Sequence, residues 1–320
     1  MEQVEAGEPL ILSDARPSEP GPATLELRGS AIDKTPTVPQ LRRQARGLIG
    51  WMPDEVGLLF LSGNMAGAPA TPEQVARIEA AHEAVRAREP LPVFSDVVRD
   101  APEDLEGFLT ELRASPASAG MFNDGWTVRM VDLTRVCAFQ PVVFTDSAAE
   151  RAVGLTANDT TAIARVTLPL SPPVDFTQSF DPAHTSWVLS SRNPNLRVLG
   201  NFSGPVVTPQ GTAPGFGFMV AILPSFMHVA EFEGRHYLRD GYHRAFGLLS
   251  VGIHQVAAFV RAARSIEELV PQNMLPQAAY RGDRPPLLVD YLRDDVAAAA
   301  SLPAVQKLIT VHALELSPCG

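Results

Sequence analysis

Phe226-Met227-His228-Val229-Ala230-Glu231-Phe232-Glu233-Gly234-Arg235-His236-Tyr237-Leu238-Arg239-Asp240-Gly241-Tyr242-His243-Arg244-Ala245 decides how this chain is read. Residues 226–232 read as a strand, 233–235 as a turn and 236–239 as a second strand, which together make a hairpin. Asp240-Gly241 breaks the period of two. From Arg244 to Val251 the apolar Ala245, Leu248 and Leu249 share one face, as a buried helix requires. Gly252 then stops the helix, and Val256-Ala257-Ala258-Phe259-Val260 reads as a strand again. The order is hairpin, tight turn, helix, strand.

That turn has the chemistry of an anion site. The first turn of a helix leaves main-chain amides without partners and carries a partial positive charge, so anions collect there. Gly241 lets the backbone turn sharply and lets a ligand approach. The Arg244 guanidinium offers a planar fork that clamps phosphate. His243 donates from one ring nitrogen, or from both when protonated. Asp240 suits a helix N-cap, but its carboxylate repels phosphate unless a metal ion or a substrate donor lies between. Asp-Gly turns before helices are also common where no ligand binds.

Residues 233–245, followed by Val251-Gly252-Ile253, resemble the ParB/sulfiredoxin superfamily. Its members show an apolar strand, then D-G-x-H-R-A or G-E-R-R-x-R-A, then a helix that ends before G-[IV] and a further strand. Val131-Asp132-Leu133 and Phe139-Gln140-Pro141 are similar to the segment that opens such domains. The resemblance implies a nucleotide-binding domain, with Asp240, Gly241, Tyr242, His243 and Arg244 at the phosphates and Gln140 nearby. It implies ATP, ADP or CTP as ligand, Mg2+ as companion ion, and NTP hydrolysis or phosphoryl transfer to a small-molecule acceptor. The chain departs from the pattern in places. Tyr242 stands where sulfiredoxin has cysteine, so sulfinic-acid reduction is not expected. Phe246 stands where ParB has a second arginine, and no helix-turn-helix follows residue 265, so chromosome partitioning is not expected. The rival reading is a nucleotide-free interaction or regulatory protein, with protein partners, that keeps only the fold.

Bulk properties narrow the classes. The chain has 320 residues, 45% hydrophobic, enough for one large core or two modest ones. Its 29 prolines argue for many loops and short elements. The net charge of -10 disfavours nucleic acid as a partner. The nearest basic block, Arg42-Arg43-Gln44-Ala45-Arg46, reads as a solvated helix face. Lys34 and Lys307 are the lysines, and neither has a P-loop context. Cys137 and Cys319 make neither a disulfide framework nor a zinc site. The acidic start is not a signal peptide. The most apolar stretch, residues 216–230, is too short to span a bilayer and is broken by Pro224, so no membrane is expected and the location expected is cytoplasmic.

Other candidates carry less. His236, Asp240 and His243 match no standard ligand spacing, so no metal site is expected. Glu231 is a candidate general base; an ordinary solvent-facing strand glutamate is the other reading. Residues 190–195 form a polar turn, and Arg293-Asp294-Asp295 reads as an exposed helix face.

The fold expected is α+β: a ParB/sulfiredoxin-like mixed sheet with helices, preceded by a mainly helical region. Residues 1–40 read as a loose N-terminal arm with a strand at 24–28. Residues 41–118 read as mainly helical, with one helix opening at Thr71-Pro72 and another over 103–112. Residues 120–265 form the nucleotide-binding domain with an insertion; strand candidates are 126–131, 133–144, 163–170, 187–189 and 218–223. Residues 266–320 read as a C-terminal helical extension.

Overall fold

The structure, a computed structural model, describes residues 41–312 apart from 66, 68, 172–175, 183–184, 192, 194, 270–273 and 305–306. The strand expected at 24–28 lies outside them. In chain order the elements begin with β1 (Arg42–Gly47), α1 (Asp54–Leu61), α2 (Pro72–Arg86), β2 (Val98–Arg99), α3 (Glu106–Ala114) and α4 (Pro116–Asn123). Then come β3 (Thr127–Asp132), β4 (Val142–Phe144), α5 (Thr145–Ala152), α6 (Thr160–Thr167), β5 (Thr177–Asp181), β6 (Ser186–Ser191), β7 (Leu196–Thr208) and β8 (Gly211–Ile222). The last are β9 (His228–Phe232), β10 (Arg235–Asp240), α7 (Tyr242–Ser250), β11 (Gln255–Ala262), α8 (Ile266–Leu269), α9 (Gln277–Arg281), β12 (Ala298–Pro303) and β13 (Lys307–His312). The class is α+β.

The central sheet runs β10-β9-β11-β3-β2. Its first two strands are the hairpin read from the sequence. Phe232 faces Arg235 across a two-residue turn, with Glu233 at φ 51° and Gly234 at φ 74°. Both central residues at positive φ give the turn whose twist matches that of the strands. From β9 the chain passes through β10 and α7 and returns as β11, which lies parallel to β9 and antiparallel to β3. The end of α7 is a Schellman motif around Gly252: its amide bonds Leu249, and the Ile253 amide bonds Leu248 at 2.9 Å.

A second sheet, β12-β1-β4, joins distant parts of the chain. The third is β13-β6-β5, and among the described residues β7 pairs only with β8. The main apolar cluster reaches from Ala45 to Leu302 and includes Phe139, Tyr237, Tyr242, Tyr280 and Tyr291. A smaller one gathers Leu105, Phe108, Trp126, Phe226 and Phe259. Each such side chain, fully buried, contributes about 1.5–3 kcal/mol. Among the described residues no helix is long and apolar enough to cross a membrane.

Several elements match the sequence reading. Thr71 caps α2 in a capping box, with Pro72 at its first position. Leu105, Phe108, Leu109 and Leu112 are buried together. Other elements differ. Residues 42–46 are strand β1, because pairing on both sides with β12 and β4 outweighs local preference. Residues 41–118 therefore carry strands β1 and β2 as well as α1, α2, α3 and the start of α4. Residues 163–170 are not a strand: Asp159 accepts from the Ala162 amide and starts α6, burying Ile163, Ala164 and Thr167 at helical spacing. Among the described residues after 265, the short α8 and α9 and a 3-10 turn at Leu288–Leu292 share the stretch with strands β12 and β13, where the sequence reads as a helical extension. Arg293-Asp294-Asp295 follows a 3-10 turn rather than lying on a helix, and Arg293 pairs with Asp295 at 2.5 Å.

Candidate functional site

The end of β10 aims the chain into α7. Leu238 pairs with Val229 and Asp240 with His228, so Arg239 is the extra residue of a bulge. Gly241 follows at φ 103°. A Cβ there would stand 3.1 Å from Cγ of Met227 and 3.3 Å from its Cα. Both conformation and space therefore demand glycine. Asp240 accepts the Gly241 amide at 2.6 Å on one oxygen and the Ser225 hydroxyl at 2.7 Å on the other.

Gly241 has no side chain to cap the helix. The first amide of α7 with an acceptor is that of Ala245, which bonds the Gly241 carbonyl at 2.8 Å. Among the described residues, no acceptor faces the amides of Tyr242, His243 and Arg244. These are the orphan donors of a helix start, which a side chain, water or an anion can satisfy.

The side chains of the motif turn inward. Arg244 is only 3% exposed. It donates to the carbonyls of Val166 and Thr167 at 3.4 and 3.2 Å, to the Ser225 carbonyl, and to the Ser225 hydroxyl at 3.0 Å. It thus caps the C-terminal end of α6, where a cation is favoured. Burial pulls its pKa down to about 10, which leaves it charged at neutral pH. Tyr242 accepts the Phe139 amide at 3.0 Å on its buried hydroxyl. The His243 ring stacks on Phe144 at 5.9 Å, with the Arg43 guanidinium also on that ring at 4.5 Å. Burial, with help from Arg151 and Arg43, pulls His243 down to about 4. Gln140 stands next to Phe139, but its amide donates to Val142 at 2.6 Å.

Helix α5 supplies the cation that sequence reading missed. It packs against α7 at Gly247, where a Cβ would lie 2.2 Å from the Ala148 carbonyl oxygen. Arg151 lies about one turn further along α5. Its charge acts on His243 and Arg244, and Asp240 acts on it, so it stands beside the start of α7. Arg43 is occupied by Asp146 at 2.6 Å. Arg151 makes no hydrogen bond or salt bridge with any described residue; burial pulls its pKa down, and the nearby carboxylates of Asp240 and Glu150 oppose that. Only the packing of Ala148 and Ala152, four residues apart, sets Arg151 on the flank of its helix.

Glu231 stands elsewhere. It is exposed on β9 opposite His236, three strand positions from His228, or about 10 Å along the strand. There it lines an open cleft of about 590 Å³ with Phe94, Thr127, Arg129 and His236. Among the described residues no three His, Cys, Asp or Glu side chains gather as a metal-ligand set.

No protein family, curated protein or solved structure matches this chain. Function rests on the residues themselves.

Two histidines here give a pH dependence. Burial pulls His228 down to about 4, as it does His243. The unfolded chain, with histidines near 6.5, binds more protons between these values. The histidines' contribution is therefore complete above pH 6.5 and is lost as pH falls towards 4. At most about 1.4 kcal/mol is lost per pH unit per histidine. Urea midpoints for wild type should fall from pH 7 to pH 5, and less steeply in His228→Gln/His243→Gln. Equal slopes would remove the two rings as the cause.

Proposed function

We propose that the start of α7 binds the phosphate of a small ligand, and that the ligand is a nucleotide such as ATP, ADP or CTP. The observation that carries this is the set of unaccepted amides at Tyr242, His243 and Arg244, with Arg151 close enough for its charge to act on His243 and Arg244. The amides and helix dipole supply fixed donors, and Arg151 supplies a nearby positive charge, shared at present with Asp240 and Glu150. Arg244 acts from behind: by holding α6 and Ser225 it fixes the backbone of the first turn. Asp240 is the exposed carboxylate just before the helix. A Mg2+ ion between Asp240 and the phosphate would turn that repulsion into a bridge. The arrangement supports binding before turnover, because Glu231 lines a cleft that includes no residue from the start of α7.

Arg151→Ala should weaken nucleotide binding about ten- to a hundredfold, the worth of one charge-assisted hydrogen bond of about 1.5–3 kcal/mol. Its melting temperature should hold. Arg151→Lys should recover part of the affinity, keeping charge without the fork. Calorimetric titration with ATP, ADP, CTP and GTP, each with and without Mg2+, is the measurement. If wild type binds none of them, the proposal fails. A nucleotide-free interaction protein is the second reading. It is favoured by the fact that Tyr242, His243 and Arg244 all have their side chains engaged within the fold.

A further inference from the structure

We propose that the β7–β8 hairpin is a self-association arm, and that what covers it is the same hairpin of a second copy of this chain. Its strands have 13 and 12 residues, so the arm is about 40 Å long. Neither strand pairs with any other described strand. A lone two-stranded ribbon is marginally stable in water, and this one exposes apolar side chains on both faces. Phe202 and Met219 lie exposed on one, and Val207, Phe216 and Phe218 on the other. Side chains on each face meet within the hairpin. Phe202 covers Gly217, where a Cβ would meet its ring at 2.5 Å. Phe216 and Phe218 meet edge to face at 5.2 Å.

Charge selects the occupant. Strand edges are normally protected from self-pairing by charged residues. From Leu196 to Ile222 the single charged residue is Arg197. With a total of -10 and +1 from Arg197, the rest of the chain carries -11. Two copies repel body to body, and the arm is where they meet without like charges opposed. One cation is too few to draw nucleic acid or an anionic lipid surface. A two-fold axis between arms pairs an identical edge with itself, and the glycine–aromatic alternation offers each copy both ring and gap. The result is a four-stranded ribbon with its aromatic faces joined.

The test is sedimentation equilibrium of the full chain over a wide concentration range, for wild type and two variants. One is Phe216→Lys/Phe218→Lys. The other replaces residues 200–218 with a short glycine linker, so that misfolding of the double variant does not decide the matter. Far-ultraviolet dichroism and the melting temperature monitor the body of each. A wild-type dimer, with dissociation at least tenfold easier in both variants, is the expected result. A wild-type monomer throughout overturns the proposal, and so does a dimer that both variants keep. Flotation of monomeric wild type with phosphatidylcholine vesicles, abolished in the variants, also overturns it and gives the arm to lipid.

Discussion

Arg244→Ala is expected to destabilise the protein by about 3–5 kcal/mol and to lower its melting temperature by on the order of 10 °C. The side chain ties three elements: α7, the end of α6 and the residue Ser225 before β9. Removing it takes four hydrogen bonds from this corner, at about 0.5–1.5 kcal/mol each, and leaves the half-buried carbonyls of Val166 and Ser225 without their protein donor. The Thr167 carbonyl keeps the Met227 amide at 2.8 Å and suffers less. Lysine should fall between, since it keeps the charge but reaches fewer acceptors at once. Nucleotide affinity of the fraction that stays folded should change less than in Arg151→Ala. A direct phosphate clamp gives the reverse pattern, with affinity lost and melting unchanged. Urea denaturation and calorimetry on the same preparations separate the two. A stability loss under about 1 kcal/mol would show that the buried network is not what holds this corner together.

Gly247→Val should cost about 3 kcal/mol, at the upper end of the overpacking range. Even a methyl group at this position would stand 2.2 Å from the Ala148 oxygen and 2.9 Å from its carbonyl carbon. Both are backbone atoms, so α5 itself must move. Since α5 carries Arg151, the same substitution should weaken nucleotide binding although it touches no ligand-facing group. Gly247→Ala should show both effects, reduced. Normal stability of the valine variant in urea would mean that the two helices are free to part. Normal affinity in a destabilised variant would detach Arg151 from the proposed site.

Much of the fold around α7 was legible in the sequence because local signals and tertiary demands agree there. Glu233-Gly234 suits a two-residue turn, Asp240-Gly241 breaks the strand, and Gly252 ends the helix. The failures share one cause. Residues 42–46 became β1, and 298–303 became β12, because each completes a sheet with a partner far along the chain. No local window contains that information. Residues 163–170 were misread because a short apolar run fits strand and helix alike; Asp159 as N-cap was the missed arbiter. For the candidate site, the sequence located the turn but not the direction of its side chains. Arg244 and Tyr242 face the core, a matter of packing that spacing alone does not decide. Arg151 was invisible because it reaches α7 through helix packing.

Strand β1 lies between β4 and β12, and Gly47 meets Ala298 in that pairing. At a synthesis rate of about 5–20 residues per second, the ribosome needs roughly 12–50 seconds between making these two residues. During that interval one edge of β1 stays open in the growing chain. Chains stalled before residue 298 should therefore depend most on chaperones, and a full-length chain should gain its protease resistance late, as a single step when β12 closes the sheet.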